Sequence, residues 1–168
     1  MPAPAVHIRA AERQDASALF ALIRDLAQYE RLSAAVTGSE ELLAAELFGQ
    51  EPVAQALVAD VAGETVGFAV FFPTFSTFRS QRGIWLEDLY VAPEHRRAGI
   101  GHALLSHVAW LALERGCARL EWSALEWNEP ALRFYEQLRA EHMEQWRTLR
   151  LEGDALQDLA TAANRAES

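Results

Sequence analysis

The chain has 168 residues, about half of them hydrophobic, and a formal charge of −9. That length carries one sizeable core, and the acidic balance excludes nucleic acid as the main partner, because phosphate contacts need a basic face. A small cation suits it better. The single cysteine, Cys117, excludes an internal disulfide and fits a reducing compartment. Apolar runs such as VGFAVFF, ending before Pro73, fall short of the roughly 20 residues of a membrane helix. The start, MPAPAVHIRA, lacks the basic-then-apolar order of a secretory signal. The expectation is one cytoplasmic domain over residues 1–168, with no membrane span and a frayed tail at 164–168.

In chain order, VHIRA (6–10) reads as a short strand. From Asp15, apolar residues at 19, 22, 23 and 26 have helical spacing, with Asp15 as the cap. Thr37 and Glu40 fit a capping box for a second helix that Gly49 ends. VAQALVAD and ETVGFAVFF flank VAGE, the pattern of a hairpin, and GIWLEDLYV (83–91) is the next strand.

Ile100, Leu104, Val108 and Leu111 form the stripe of a strong helix that Gly116 stops. ARLEWSAL (118–125) is a strand. NEPALRFYEQLR starts a helix with Asn128 as cap and Pro130 in its first turn. EQWRTLRLE (144–152) alternates and is expected to close the sheet, before a last helix, GDALQDLATAA. An early hairpin followed by alternating strands and helices indicates a mixed-sheet α/β fold.

RRAGIG (96–101) lies between a strand and a helix. Glycines at 99 and 101 let the backbone take unusual dihedrals and approach a ligand, while free N–H groups at the helix entrance attract an anion. Arg96 and Arg97 add charge, so the turn is expected to hold phosphate or pyrophosphate. It has neither the Gly-Lys-Ser/Thr ending of Walker A nor the three-glycine dinucleotide fingerprint.

Arg-x-x-Gly-x-Gly after a strand ending LYVAP is the motif of GNAT acetyltransferases. IRAAERQD, LIRDLAQYE, VGFAVFF, WLEDLYV, RRAGIG and EWNEPALRFYE together resemble the spermidine/spermine (diamine) acetyltransferases over about residues 7 to 151. The resemblance implies a GNAT fold, with a mixed, mostly antiparallel central sheet splayed around acetyl-CoA and flanked by helices. It implies a pyrophosphate cradle from Arg96 and Arg97 through Ala98, Gly99, Ile100 and Gly101 to His102. It also implies pantetheine contacts from the backbone of Leu89, Tyr90 and Val91, and a cofactor contact from Asn128. Tyr29, Glu30, Glu87, Trp122 and Glu144 would bind the amine, and the family dimerises.

Adjacent residues of an extended strand point to opposite faces, so Glu87 shares a face with Trp85 and Leu89, and Asp88 with Leu86 and Tyr90. They cannot form a shared-proton dyad unless a bulge rotates one of them. A bulge after Asp88 would splay this strand from ARLEWSAL. An alkylamine arrives protonated at neutral pH, and one carboxylate can both bind that cation and draw off its proton. The resemblance puts this on Glu87; Asp88 reads as structural. Tyr135 reads either as a half-buried core ring or, by the resemblance, as the acid that protonates the departing thiolate.

The family usually has glycine four positions after that tyrosine; here it is Arg139. The turn that shapes the acceptor pocket is thus expected to differ, which bears on polyamine specificity and not on acetyl transfer. Cys117 reads as a buried small hydrophobe, so transfer is expected to be direct. His102 and His107 do not share a helix face, and no histidine spacing suggests a metal. The five tryptophans are expected mostly in the core. The leading expectation is acetyl transfer from acetyl-CoA to a small cationic amine, such as a polyamine. The alternatives are another amine (a lysine analogue, an amino acid or an aminoglycoside) or a non-catalytic acetyl-CoA sensor.

Overall fold

A computed structural model describes residues 5–166, and the chain divides between Ser123 and Ala124 into two compact units. The first holds five strands in the order β1-β2-β3-β4-β5: Val6–Ala10, Gln55–Val61, Glu64–Ser76, Gln81–Val91 and Leu120–Trp122. Neighbours are antiparallel except β4 and β5, which run parallel. The β2–β3 hairpin turns at Ala62 and Gly63, both with positive φ (52° and 88°), as VAGE predicts.

Two helices, α1 (Ala16–Tyr29) and α2 (Glu40–Phe48), cover one sheet face. Leu19, Leu22 and Leu26 of α1 and Leu47 of α2 bury against Val58, Phe68, Val70 and Tyr90. Each such side chain contributes about 1.5–3 kcal/mol on leaving water. Helix α3 (Ile100–Glu114) packs on the other face, where Leu104 approaches the position a Gly67 Cβ would fill. That Cβ would also lie 2.9 Å from the Tyr90 carbonyl oxygen, so β3 and β4 meet there only because residue 67 has no side chain.

Several local expectations are corrected. Asp15 precedes α1 but its side chain makes no cap bond to the helix. Both its oxygens instead take the Arg9 guanidinium, at 2.6 and 2.9 Å, and one also accepts the Glu12 N–H. Ser39, not Thr37, caps α2 by accepting from the Leu42 N–H. The last strand of this unit is three residues long rather than the eight of ARLEWSAL. No tryptophan is buried: Trp85 and Trp122 are half-buried, and Trp110, Trp127 and Trp146 are exposed. Cys117 is half-buried.

The second unit contains α4 (Glu129–Gln137) and α5 (Gly153–Ala166). Residues 144–152, expected to close the sheet, form no strand. Their alternation is real, yet Trp146 and Leu149 are 73% and 91% exposed. Alternation marks a potential strand, but only a backbone partner makes one. The frayed tail expected at 164–168 overlaps the described helix as far as Ala166, and 167–168 lie outside the described residues. Among the described residues no helix is long and apolar enough to cross a membrane.

Candidate active site

The defining feature of the first unit is an irregularity in β4. Across the β3–β4 ladder Val70 faces Asp88, while Phe71 faces Leu86, leaving Glu87 without a cross-strand partner. The bulge is thus at Glu87, one residue earlier than expected. Its effect is a change of parity. Val70 and Phe72 share a face, and their partners are Asp88 and Trp85, so residues three apart on β4 now point the same way. The Trp85 indole N–H then donates to Glu87 Oε2 at 2.9 Å, so Glu87 also reaches this side. The expectation that the two carboxylates take opposite faces is therefore overturned, through the rotation that a bulge permits.

This face is the one covered by α1, because Val70 belongs to the core with Leu22 and Leu26. Tyr29 and Glu30 end that helix. Burial raises the Glu30 carboxyl above its usual range. Asp88 is lifted further, from 3.8 to about 6, first by burial and then by the negative charges of Glu87 and Glu30. Glu87 and Glu30, from two parts of the chain, therefore both act on Asp88. Asp88, which reads as structural from the sequence, meets these charges through the bulge.

Beyond the bulge β4 stands apart from β5. Their pairing covers Ile84, Trp85 and Leu86, opposite Leu120, Glu121 and Trp122, and then stops. From Glu87 to Val91, including Leu89 and Tyr90, this edge of β4 has no strand neighbour among the described residues. An opened edge of this kind offers main-chain groups to an extended ligand.

After Val91 a 3-10 turn (Pro93–His95) leads into the RRAGIG loop. Arg97 and Gly99 take positive φ, 65° and 78°, and α3 begins at Ile100. Alternation of left- and right-handed residues before a helix start turns successive N–H groups toward one anion site. Arg97, Ala98, Gly99 and His102 are exposed around it. Gly101 has helical backbone, and a Cβ there would meet only Val91 at 3.9 Å, so its expected unusual dihedral is not found. Arg96 does not simply face outward. Its Nε donates to the Val91 carbonyl at 2.8 Å, and its guanidinium lies 4.8 Å from the Tyr29 ring centroid and 5.3 Å from that of Tyr90.

Residues 19–139 match the acetyltransferase (GNAT) family. The chain belongs to that family. This acetyltransferase is 40% identical, over 92% of its length and 97% of the relative's, to a thialysine N-epsilon-acetyltransferase of Bos taurus. It is 29% identical to a human spermidine/spermine N(1)-acetyltransferase-like protein, covering 91% of this chain and 23% of that one. Among solved structures, an integron cassette protein from the mobile metagenome of V. cholerae superposes with a TM-score of 0.78 at 26% identity, over 92% and 97% of the two chains. The mixed-sheet GNAT fold and N-acetyltransferase activity expected from the motifs are therefore established.

In the second unit of the acetyltransferase, the Asn128 side chain accepts from the Ala131 N–H at 3.4 Å, capping α4 as expected. Tyr135 is half-buried in the last turn of α4, its ring centroid 5.2 Å from that of Phe134. Glu144 is exposed in the segment without secondary structure. Arg139 adopts φ 62° just past the helix, where its N–H donates to Glu136 O at 2.9 Å. A left-handed turn thus follows α4, with arginine in it. Among the described residues no group of His, Cys, Asp or Glu could hold a metal ion.

Proposed function

We propose that the acetyltransferase moves the acetyl group of acetyl-CoA to the primary amine of a small cation carrying a second ammonium group. The observation that supports this best is the carboxylate group on one sheet face, Glu30, Glu87 and Asp88, beside an opened strand edge and an anion-attracting turn. Acetyl-CoA supplies an activated thioester. The loop from Arg97 to His102 would hold its pyrophosphate, with Asn128 as a further contact, and the β4 edge at Leu89, Tyr90 and Val91 would hold pantetheine through main-chain groups. The left-handed Arg97 and Gly99 fit an anion, and the unpartnered β4 edge fits an amide-bearing arm.

Glu87 pairs the incoming ammonium and helps to remove its proton, Tyr29, Glu30, Trp122 and Glu144 help bind the rest of the cation, and Tyr135 protonates the departing thiolate. The acceptor class is supported by the relatives, one named for thialysine and one for spermidine and spermine. Both compounds present a primary amine on a short chain that carries another ammonium. A homodimer belongs to the same reading and is tested by sedimentation of the purified chain.

The deciding experiment is thiol release from acetyl-CoA across a panel of thialysine, lysine, ornithine, spermidine, diamines and aminoglycosides. The expected result is turnover with one or more dicationic primary amines. Tyr135→Phe and Glu87→Gln should lower kcat by about 10²–10⁴ with acetyl-CoA affinity little changed. Silence across the panel with acetyl-CoA still bound would instead support a sensor, and wild-type kcat in Tyr135→Phe would remove that residue's role.

A further inference from the structure

We propose that Asp88 is a catalytic carboxylate of this acetyltransferase: the bulge at Glu87 sets it beside Glu87 on the α1 face, where it takes the proton that the acceptor ammonium must lose. The inference rests on the amine-acetylation reading above and assigns the proton's destination within it.

The geometry comes from the ladder. In a regular strand, the residue facing Phe72 would be Leu86, and Glu87 and Asp88 would diverge. Here Phe72 faces Trp85 and Val70 faces Asp88, so three steps along β4 match two along β3. Val70 packs with Leu22 and Leu26, which fixes the face as the one under α1. Glu30, just past the end of α1, acts on Asp88 from above, and Glu87 acts on it from the same strand. From the loop after β4, Arg96 is engaged by the Val91 carbonyl and the rings of Tyr29 and Tyr90.

The chemistry divides between the two neighbours. Glu87 has one oxygen held by the Trp85 indole and the other available to pair the ammonium. Asp88 is a stronger base than an ordinary aspartate, since burial and two like charges lift it from 3.8 to about 6. It is still mostly ionised at pH 7 and can accept a proton. One N–H proton of the ammonium passes to an Asp88 oxygen, freeing the nitrogen lone pair. The C–N bond forms as the C–S bond breaks, the second amine proton ends on the thiol, and Asp88 returns its proton to solvent. The sum is R–NH3⁺ plus thioester giving amide, thiol and one H⁺.

The test is the pH dependence of kcat/KM for the best amine of the panel, measured from pH 5 to 9 on the full chain, with acetyl-CoA binding followed by calorimetry. The wild type should show an acid limb near pH 6, activity falling as Asp88 becomes protonated. Asp88→Asn should lose that limb and at least about a hundredfold in kcat/KM, with acetyl-CoA affinity within about twofold. Glu30→Gln removes a charge that raises Asp88, so its limb should move to lower pH. An Asp88→Asn enzyme that keeps both rate and limb overturns the inference, as does a Glu30→Gln limb that stays in place. The Glu30 variant decides if Asp88→Asn does not fold. Failure of amine acetylation itself shows separately, as an inactive wild type.

Discussion

The indole N–H of Trp85 donates to Glu87 Oε2 at 2.9 Å, two residues along the same strand and on either side of Leu86. The bond fixes one oxygen of a carboxylate that the bulge leaves without a cross-strand neighbour. A carboxylate so held meets its substrate with fewer conformations to lose. Trp85→Phe keeps the ring and removes the donor, and should lower kcat/KM for the amine about ten- to a hundredfold, the value of one hydrogen bond to a charged group. Made in a Glu87→Gln background, the same change should cost little more, because it acts through Glu87. Steady-state kinetics of this double-mutant cycle decides: full additivity sinks the idea.

Arg139 sits in the left-handed turn after α4 with φ 62°, a conformation that costs a side chain about 1–2 kcal/mol. The residue is exposed, and its N–H bond to Glu136 O does not depend on the side chain. Arg139→Gly should therefore raise stability by about 0.5–1 kcal/mol, after allowing for the extra freedom glycine gains in the unfolded chain. Denaturant melts of the two proteins give the answer, and a less stable glycine variant would contradict the account.

Gly99 takes φ 78°, yet a Cβ there would meet nothing within 4 Å. The cost of Gly99→Ala is thus conformational and not steric, about 1–2 kcal/mol. If the N–H groups of this turn hold pyrophosphate, the substitution should also weaken acetyl-CoA binding about tenfold or more while leaving the amine site intact. Calorimetric titration with acetyl-CoA measures it; unchanged affinity would remove the turn from the binding site.

Arg9 grips both oxygens of Asp15, and its Nε donates to Asp60 Oδ2 at 2.8 Å, tying β1 to β2 and to the approach of α1. The Arg9 guanidinium is the main reason that the Asp15 carboxyl lies below its usual range. A depressed folded pKa adds stability that is present above the unfolded value, near 4, and lost as pH falls through the folded one. Asp15→Asn should cost about 2 kcal/mol at pH 7. The gap to wild type should close below about pH 4, which urea melts at pH 7, 5 and 3 would follow.

The elements whose signals are local were legible in the chain itself. The 3.6-residue stripes of α1 and α3, the Ala62–Gly63 hairpin, Asn128 as a cap and the glycine turn before α3 depend on a few neighbouring residues and formed as read. The motifs are local too, so the sequence alone carries the mark of the GNAT family. What needed the tertiary structure was everything that depends on a partner strand or a distant charge. Residues 144–152 alternate correctly but form no strand, because pairing is not a property of one segment. Asp15 reads as a helix cap, but Arg9, six residues earlier and on another element, takes its oxygens.

The same reason governs the site. Whether Glu87 and Asp88 diverge or converge depends on a one-residue mismatch between β3 and β4, and register is set jointly by two strands and what packs on them. The sequence placed two carboxylates side by side. Only the fold put them on one face with Glu30, and that proximity, through burial and like charge, lifts the Asp88 carboxyl from 3.8 to about 6.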